Sequence, residues 1–182
     1  MACTLTTGRN EPCKDSVGGL SGVYFINYTT ASFTENGSGE ITAVPSGSIL
    51  YYYELKGNSS YAEAVNSSRD NGTTFFNQEL TLNLKKLTNE MTTALKTLAY
   101  GRPQIIVATN NGDALLVGRT EGADLTAGSI QTGGAFGDLY GYSGIVFTGM
   151  EKLPAAFLSG STTTNPLAGL TANYSVVYGT NS

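Results

Sequence analysis

The chain has 182 residues, 23 of them glycine, with 13% charged residues, a formal net charge of −4 and no histidine. Such a length suits one domain with a substantial core, and a composition poor in charge but rich in Gly, Ser, Thr, Asn and Tyr points to strands and turns rather than helices. The missing imidazole removes the commonest general base and metal ligand, and the 10 Lys and Arg side chains are scattered, so catalysis and static phosphate binding are both disfavoured.

The first 19 residues are polar, broken by Pro12 and Gly18-Gly19, and read as an N-terminal arm with no apolar stretch of a secretory signal. No apolar run approaches the roughly 20 residues that span a bilayer, so no membrane partner is expected. Cys3 and Cys13 could close a small loop, but sparse cysteine usage favours free thiols. Six N-x-[ST] triplets, at Asn27, Asn36, Asn58, Asn66, Asn71 and Asn173, are what a chain rich in Asn, Ser and Thr produces by chance.

"VYFINY" (Val23 to Tyr28) is the first expected strand. A loop at Thr34 to Glu40 carries the Asn36-Gly37 turn signal and leads to a short strand, Ile41 to Val44, stopped by Pro45. Ser48 to Lys56, Ser60 to Asp70 and Thr73 to Leu87 follow, separated by Gly57-Asn58 and Asn71-Gly72, which predicts two consecutive hairpins. In "TNEMTTALKTLAYGRP" the period changes: Met91, Ala94, Leu95 and Leu98 recur at helical spacing, Thr88 or Asn89 can cap the start, and Gly101 with Pro103 stops the helix. Beyond it, Gln104 to Thr109 and Ala114 to Gly118 form an expected hairpin about Asn110-Asn111-Gly112-Asp113. Strands are then expected at Asp124 to Thr132, Tyr142 to Met150 and, after a Ser/Thr-rich linker, Asn173 to Tyr178.

The strand from Thr73 to Leu87 is over-long. Extended, it reaches about 50 Å at ~3.4 Å per residue, whereas a compact domain of this size is roughly 40 Å across. Alternation puts Phe76, Leu80, Leu82 and Leu84, with Gln78, on a core face, and Asn77, Glu79, Thr81, Asn83 and Lys85 on the other. Leu82→Asp is accordingly expected to unfold the chain and Asn83→Asp to be tolerated. A hairpin that projects past the body leaves unpaired backbone groups, which a neighbouring copy can use. Copies paired edge to edge around a ring would close a barrel with the polar row lining a wet lumen, although one-faced alternation is also how any sheet with a solvated side reads.

Several chemistries are weighed against simpler readings. "GGAFGDLYGYSG" (Gly133 to Gly144) lacks the Lys-Ser/Thr ending of a phosphate-binding loop and reads as a flexible loop. Asp113, Glu121, Asp124 and Asp138 sit in turns at spacings that match no EF-hand, so no metal is expected. Tyr51 and Tyr53 share one face of their strand and Tyr52 takes the other, which packing explains as simply as sugar stacking does. No Ser or Cys nucleophile has a histidine base. No cofactor and no enzymatic activity are expected.

The order "FFNQELTLNLKKL", "TNEMTTALKTLAYGRP", "QIIVAT", "NNGD", "ALLVGRTEGAD" and "GYSGIVFTGMEKLPAAFL" resembles that of a bacteriophage tail tube protein, over roughly Gly47 to Leu158. The resemblance implies a structural virion protein, a β-sandwich or barrel flanked by a helix. Homo-hexameric rings of it stack into the tail tube through which DNA leaves the capsid. It also implies partners among its own copies and other phage tail proteins, transient passage of DNA without specific binding, and synthesis in the cytoplasm of a bacterial host. Under it the hairpin Tyr61 to Leu87 supplies inner-wall strands, and the arm Met1 to Gly19 and the loop Thr34 to Pro45 contact the next ring. The expected architecture is therefore mainly β: an arm (1–19), an antiparallel β-sandwich or barrel (20–158) with one flanking helix and a long projecting hairpin, and a C-terminal segment (159–182) that adds a strand or an inter-ring contact. The competing reading is a capsid decoration protein or a carbohydrate-binding β-sandwich module that displays its tyrosines.

Overall fold

Two sheets lie face to face in the computed structural model, which describes residues 5, 7–171 and 173–179. In chain order the elements are β1 (Leu20–Ile26), β2 (Thr34–Glu35), β3 (Ile41–Ala43), β4 (Ser48–Glu54), β5 (Ser60–Ser68), β6 (Thr73–Lys85), α1 (Asn89–Tyr100), β7 (Gln104–Thr109), β8 (Ala114–Val117), β9 (Asp124–Gln131), β10 (Gly141–Glu151), β11 (Ala156–Phe157) and β12 (Tyr174–Tyr178). The larger sheet has the order β11-β8-β7-β1-β4-β12 and the smaller β5-β6-β10-β9, while β2 and β3 make a two-stranded ribbon. Every pairing is antiparallel except that of β12 with β4. The fold is thus a mainly β, antiparallel sandwich with one flanking helix.

Alternation along β1 explains the layering. Val23 and Phe25 point to the smaller sheet and meet Leu80, Leu82, Tyr142, Ile145 and Phe147 in the main core. Tyr24 and Ile26 point the other way, joining Leu50, Ile106 and Leu116 in a second core closed by Phe33, Ile41, Val44, Leu158, Leu167 and Leu170. A strand buried on both faces reads as a nearly continuous apolar run, and "VYFI" is one. The central sheet therefore sits between the smaller sheet and a cover built from the β2–β3 ribbon and the chain after Leu158.

The helix is capped by Thr88, whose Oγ1 accepts the Met91 N–H at 3.1 Å. None of its residues is fully buried; Met91, Leu95 and Leu98 lean against the main core, and Ala94 is half-buried. A buried tyrosine anchors it: the Tyr142 hydroxyl donates to the Thr88 carbonyl at 3.0 Å and lies 2.8 Å from Thr92 Oγ1.

Two expectations need correction. The strands Ser48–Glu54 and Ser60–Ser68 are not a hairpin: β4 pairs with β1 and β12, and β5 belongs to the other sheet. Between them the chain crosses the sandwich, with Leu55 and Ser59 buried and Gly57 at φ 144, a region that favours glycine. Turn residues alone do not separate a hairpin from a crossover of similar length. The projecting ribbon is also shorter than expected. β6 has 13 residues, and Lys86 at φ 66 ends it. Its partner β10 covers it from Phe76 to Lys85, so only Thr73 to Phe75, the facing end of β5 and the turn between them outrun the sheet.

The segment after Leu158 is part of the body. Leu167 and Leu170 are buried in the second core, Tyr174 and Val176 pack against it, and β12 runs parallel to β4 from Tyr174↔Ser48 to Tyr178↔Tyr52. At the other terminus, residues 7 to 19 are exposed, and Asn111 holds Val17 by two hydrogen bonds of 2.9 and 2.8 Å. Cys13 is an exposed free thiol, and a Cys3 pairing lies outside the described residues.

Candidate assembly surface

The outer face of the smaller sheet is built by register. One row crosses all four strands as Ala62, Glu79, Thr148 and Asp124; the next runs Ser60, Thr81, Val146 and Ala127; a third has Ala64, Asn77 and Met150. Partners opposite one another in antiparallel strands share a face, so the surface mixes Ser, Thr, Asn and acidic side chains with Ala and Val146, and carries the exposed Met150 at one end. Its charged side chains on β6 and β9 are Glu79, Asp124 and Lys85, so it offers no basic cluster for phosphates. Thr126 Oγ1 and Thr148 Oγ1 lie 3.0 Å apart across it.

The side chains expected to line a lumen are not equally available. Glu79 and Lys85 are exposed, and Asn77, Thr81 and Asn83 are half-buried. Asn83 is occupied: its Oδ1 accepts the Gly144 N–H at 2.8 Å and its Nδ2 donates to the Asn58 carbonyl. It clamps the β10 bulge to the crossover, a role that strand alternation gave no sign of. Of the expected core face, Leu80 and Leu82 are buried and Phe76 and Leu84 half-buried.

Gln78, on that same core face, is 1% exposed and satisfied. Its Oε1 accepts the Gly118 N–H at 2.9 Å, and its Nε2 donates at 3.1 Å to Glu63 Oε1, which also accepts the Ala155 N–H at 3.0 Å. One amide thereby ties β5, β6, the end of β8 and the chain after β10. Glu151 works alongside, accepting the N–H groups of Thr120 and Glu121 at 2.7 and 2.8 Å.

Edges distinguish the two sheets. The larger ends in strands of 2 and 5 residues, β11 and β12. The smaller ends in β5 and β9, of 9 and 8 residues, each with a single neighbour among the described residues. Long open edges are templates for another chain, and both lie in the sheet whose outer face carries the row of Glu79, Thr148 and Asp124.

Tyrosines of β1, β4 and β12 pack on neighbouring rings, whereas Tyr100 and Tyr140 are exposed. Tyr51 and Tyr53 lean on the main core and Tyr52 on the second. Ring centroids are 4.9 Å apart for Tyr24 and Tyr52, 5.0 Å for Phe25 and Tyr53, and 5.4 Å for Tyr52 and Tyr178. Burial, with smaller contributions from neighbouring tyrosines, pushes the Tyr24 hydroxyl up to about 12. A groove of about 590 Å³ remains between these rings and the start of α1. No group of three or more side chains able to hold a metal gathers among the described residues, and no described helix is long and apolar enough to cross a membrane.

No family model matches the chain, and neither a curated protein nor a solved structure does.

Proposed function

We propose that the chain is a structural protein that self-assembles into stacked homo-hexameric rings, forming a phage tail tube through which DNA is ejected. The observation that carries this reading is the four-stranded sheet whose outer face has a polar central row (Glu79, Thr148, Asp124) and no basic cluster, bounded on both sides by long strands with open edges. Pairing β5 of one copy with β9 of the next satisfies both edges at once and makes the sheet continuous. Six copies of a four-stranded sheet give about 24 strands, well past the ~16 at which barrels hold an aqueous channel. At ~4.8 Å per strand the wall measures roughly 115 Å around before strand tilt widens it. A lumen lined by Glu79, Asp124, Thr81 and Thr148, with Lys85 the cation on its β6 row, keeps a net negative charge and repels or ignores a polyanion, so DNA slides through it without being trapped.

Electron microscopy of the purified protein tests the assembly: rings or tubes with an axial channel are expected, and a protein that stays monomeric at high concentration refutes it. The conduit is tested by reversing the wall charge. Wild-type tubes are expected not to retain duplex DNA at physiological salt. The double variant Glu79→Lys, Asp124→Lys, which raises the formal net charge from −4 to 0, is expected to retain it with a steep salt dependence. Equal retention by both would place these side chains away from the channel.

A further inference from the structure

The glycine-rich stretch between β9 and β10 is a built knob. Asp138 Oδ2 accepts the N–H groups of Gly134 and Ala135, both at 2.8 Å, and its own N–H donates to the Ala135 carbonyl at 3.1 Å. Those bonds, that to Ala135 first, hold its carboxyl below the usual range. Gly133, at φ 71, permits the turn: a Cβ there would stand 2.6 Å from that of Asp138. The turn thrusts Phe136 fully into solvent, at 114% of its reference exposure, with a carboxylate two residues away.

At the opposite end of the same sheet lies a groove of about 360 Å³ whose apolar lining is Phe75, Met150, Leu153 and Pro154, with Lys152 among its polar lining residues. Met150 is 61% and Leu153 47% exposed. Its walls are fixed on two sides: Glu151 holds the Thr120–Glu121 turn and Glu63 holds Ala155. Lys152 makes no ion pair among the described residues. The groove's lining also holds Arg119, Glu121 and Glu151. Arg119 pairs with Glu35, and Glu151 is taken by two backbone N–H groups, so what matches the knob is the apolar surface offered to Phe136, with Lys152 as the groove's unpaired cation for Asp138. Strand β10, 11 residues long, begins beside the knob and ends at the groove, which separates them by roughly 35 Å. One copy cannot satisfy both ends, but a translation along the strand brings one onto the other.

We propose that the Phe136 loop of one copy seats in the Phe75–Met150–Leu153 groove of a second copy in the next ring, with Asp138 near Lys152. The proposal rests on the ring reading above and adds the contact that stacks the rings. A contact between different surfaces repeats without closing, so it gives the stack a direction and no fixed length.

Phe136→Ser and Leu153→Ser are the test variants, each checked by circular dichroism to melt as the wild type does. Each is expected to form single rings and to lower the fraction of protein in tubes about tenfold or more, as loss of an aromatic or apolar anchor does. Mixed together they are expected to give stacks of two rings and no longer, because each variant retains one half of the contact. In a background with Cys3→Ser and Cys13→Ser, the double variant Phe136→Cys, Leu153→Cys should give, on mild oxidation, a ladder of linked chains on a non-reducing gel. Tubes of wild-type length from either serine variant, or linked dimers only, overturn the contact while leaving ring formation standing. A wild type that forms no rings removes the ring reading, and the contact with it.

Discussion

Leu82→Asp is expected to yield no cooperatively folded protein, whereas Glu79→Gln, three residues earlier on the same strand, is expected to melt within about 2 °C of the wild type. Leu82 is 1% exposed, opposite Ile145 on β10 and inside the main core. A carboxylate there loses its water and has no cation within the cluster to pair with. The cost is several kcal/mol for the charged form, on top of about 2–5 kcal/mol of lost apolar packing. A domain holds only about 5–15 kcal/mol in total. Glu79 is exposed in the outer row, so its charge contributes little to folding. Asn83, the outer-face position expected from alternation to be tolerant, is the poorer control. Asn83→Asp keeps the acceptor for Gly144 but loses the donor to the Asn58 carbonyl and places a negative oxygen against it. About 1–3 kcal/mol of destabilisation follows. Thermal melts of the three proteins by circular dichroism check the order. Matching transitions for Leu82→Asp and Glu79→Gln would mean that the two faces of β6 are exchanged.

The legible parts of the fold are those in which one short-range rule acts alone. The helix start at Thr88 and its stop at Gly101 follow from capping chemistry. The β7–β8 hairpin follows from "NNGD", where Gly112 adopts φ 96. Alternation on β6 sorts Leu80 and Leu82 from Glu79 because one side of that strand is solvated. Where a residue answers to a distant partner the sequence is silent. Nothing near Gly57-Asn58 says that the chain leaves one sheet for the other, since that depends on β12 occupying the free edge of β4 from more than a hundred residues away. Gln78 reads as a polar interruption of a leucine face, and only the Gly118 N–H and the Glu63 carboxylate explain its burial. The candidate surface divides in the same way. Its polar row on β6 is visible in the alternation, but the open edges become visible only when the strand order β5-β6-β10-β9 is known.

Removal of residues 159–182 is expected to abolish soluble, folded protein, an effect as large as that of a charge in the main core. Composition presents this stretch as a linker and a tail; in the structure it is the lid of the second core. Leu167 and Leu170 are 4% and 7% exposed, and losing two such buried leucines costs roughly 3–6 kcal/mol. The deletion also strips β12 from β4 and takes away the hydrogen bonds from Thr171 N–H to the Thr42 carbonyl and from Gly47 N–H to the Asn173 carbonyl, both 2.8 Å. Phe33, Ile41, Val44 and Leu158 would then be the cover that remains over Tyr24, Ile26, Leu50, Ile106 and Leu116, and the apolar surface so exposed drives aggregation as well as unfolding. A single methyl group probes the same docking with the chain complete. At Gly169 a Cβ would lie 1.9 Å from the Ser159 carbonyl oxygen, so Gly169→Ala must move backbone against backbone, and a loss of about 2–4 kcal/mol is expected. Gly179, whose Cβ would meet nothing within 4 Å, is the matched control, and Gly179→Ala should leave the melt unchanged. If the chain ending at Leu158 stays monomeric and melts within a few degrees of the 182-residue chain, the second core holds without its lid. Phe33, Ile41, Val44 and Leu158 would then bury the far face of the central sheet without Leu167, Leu170 and β12.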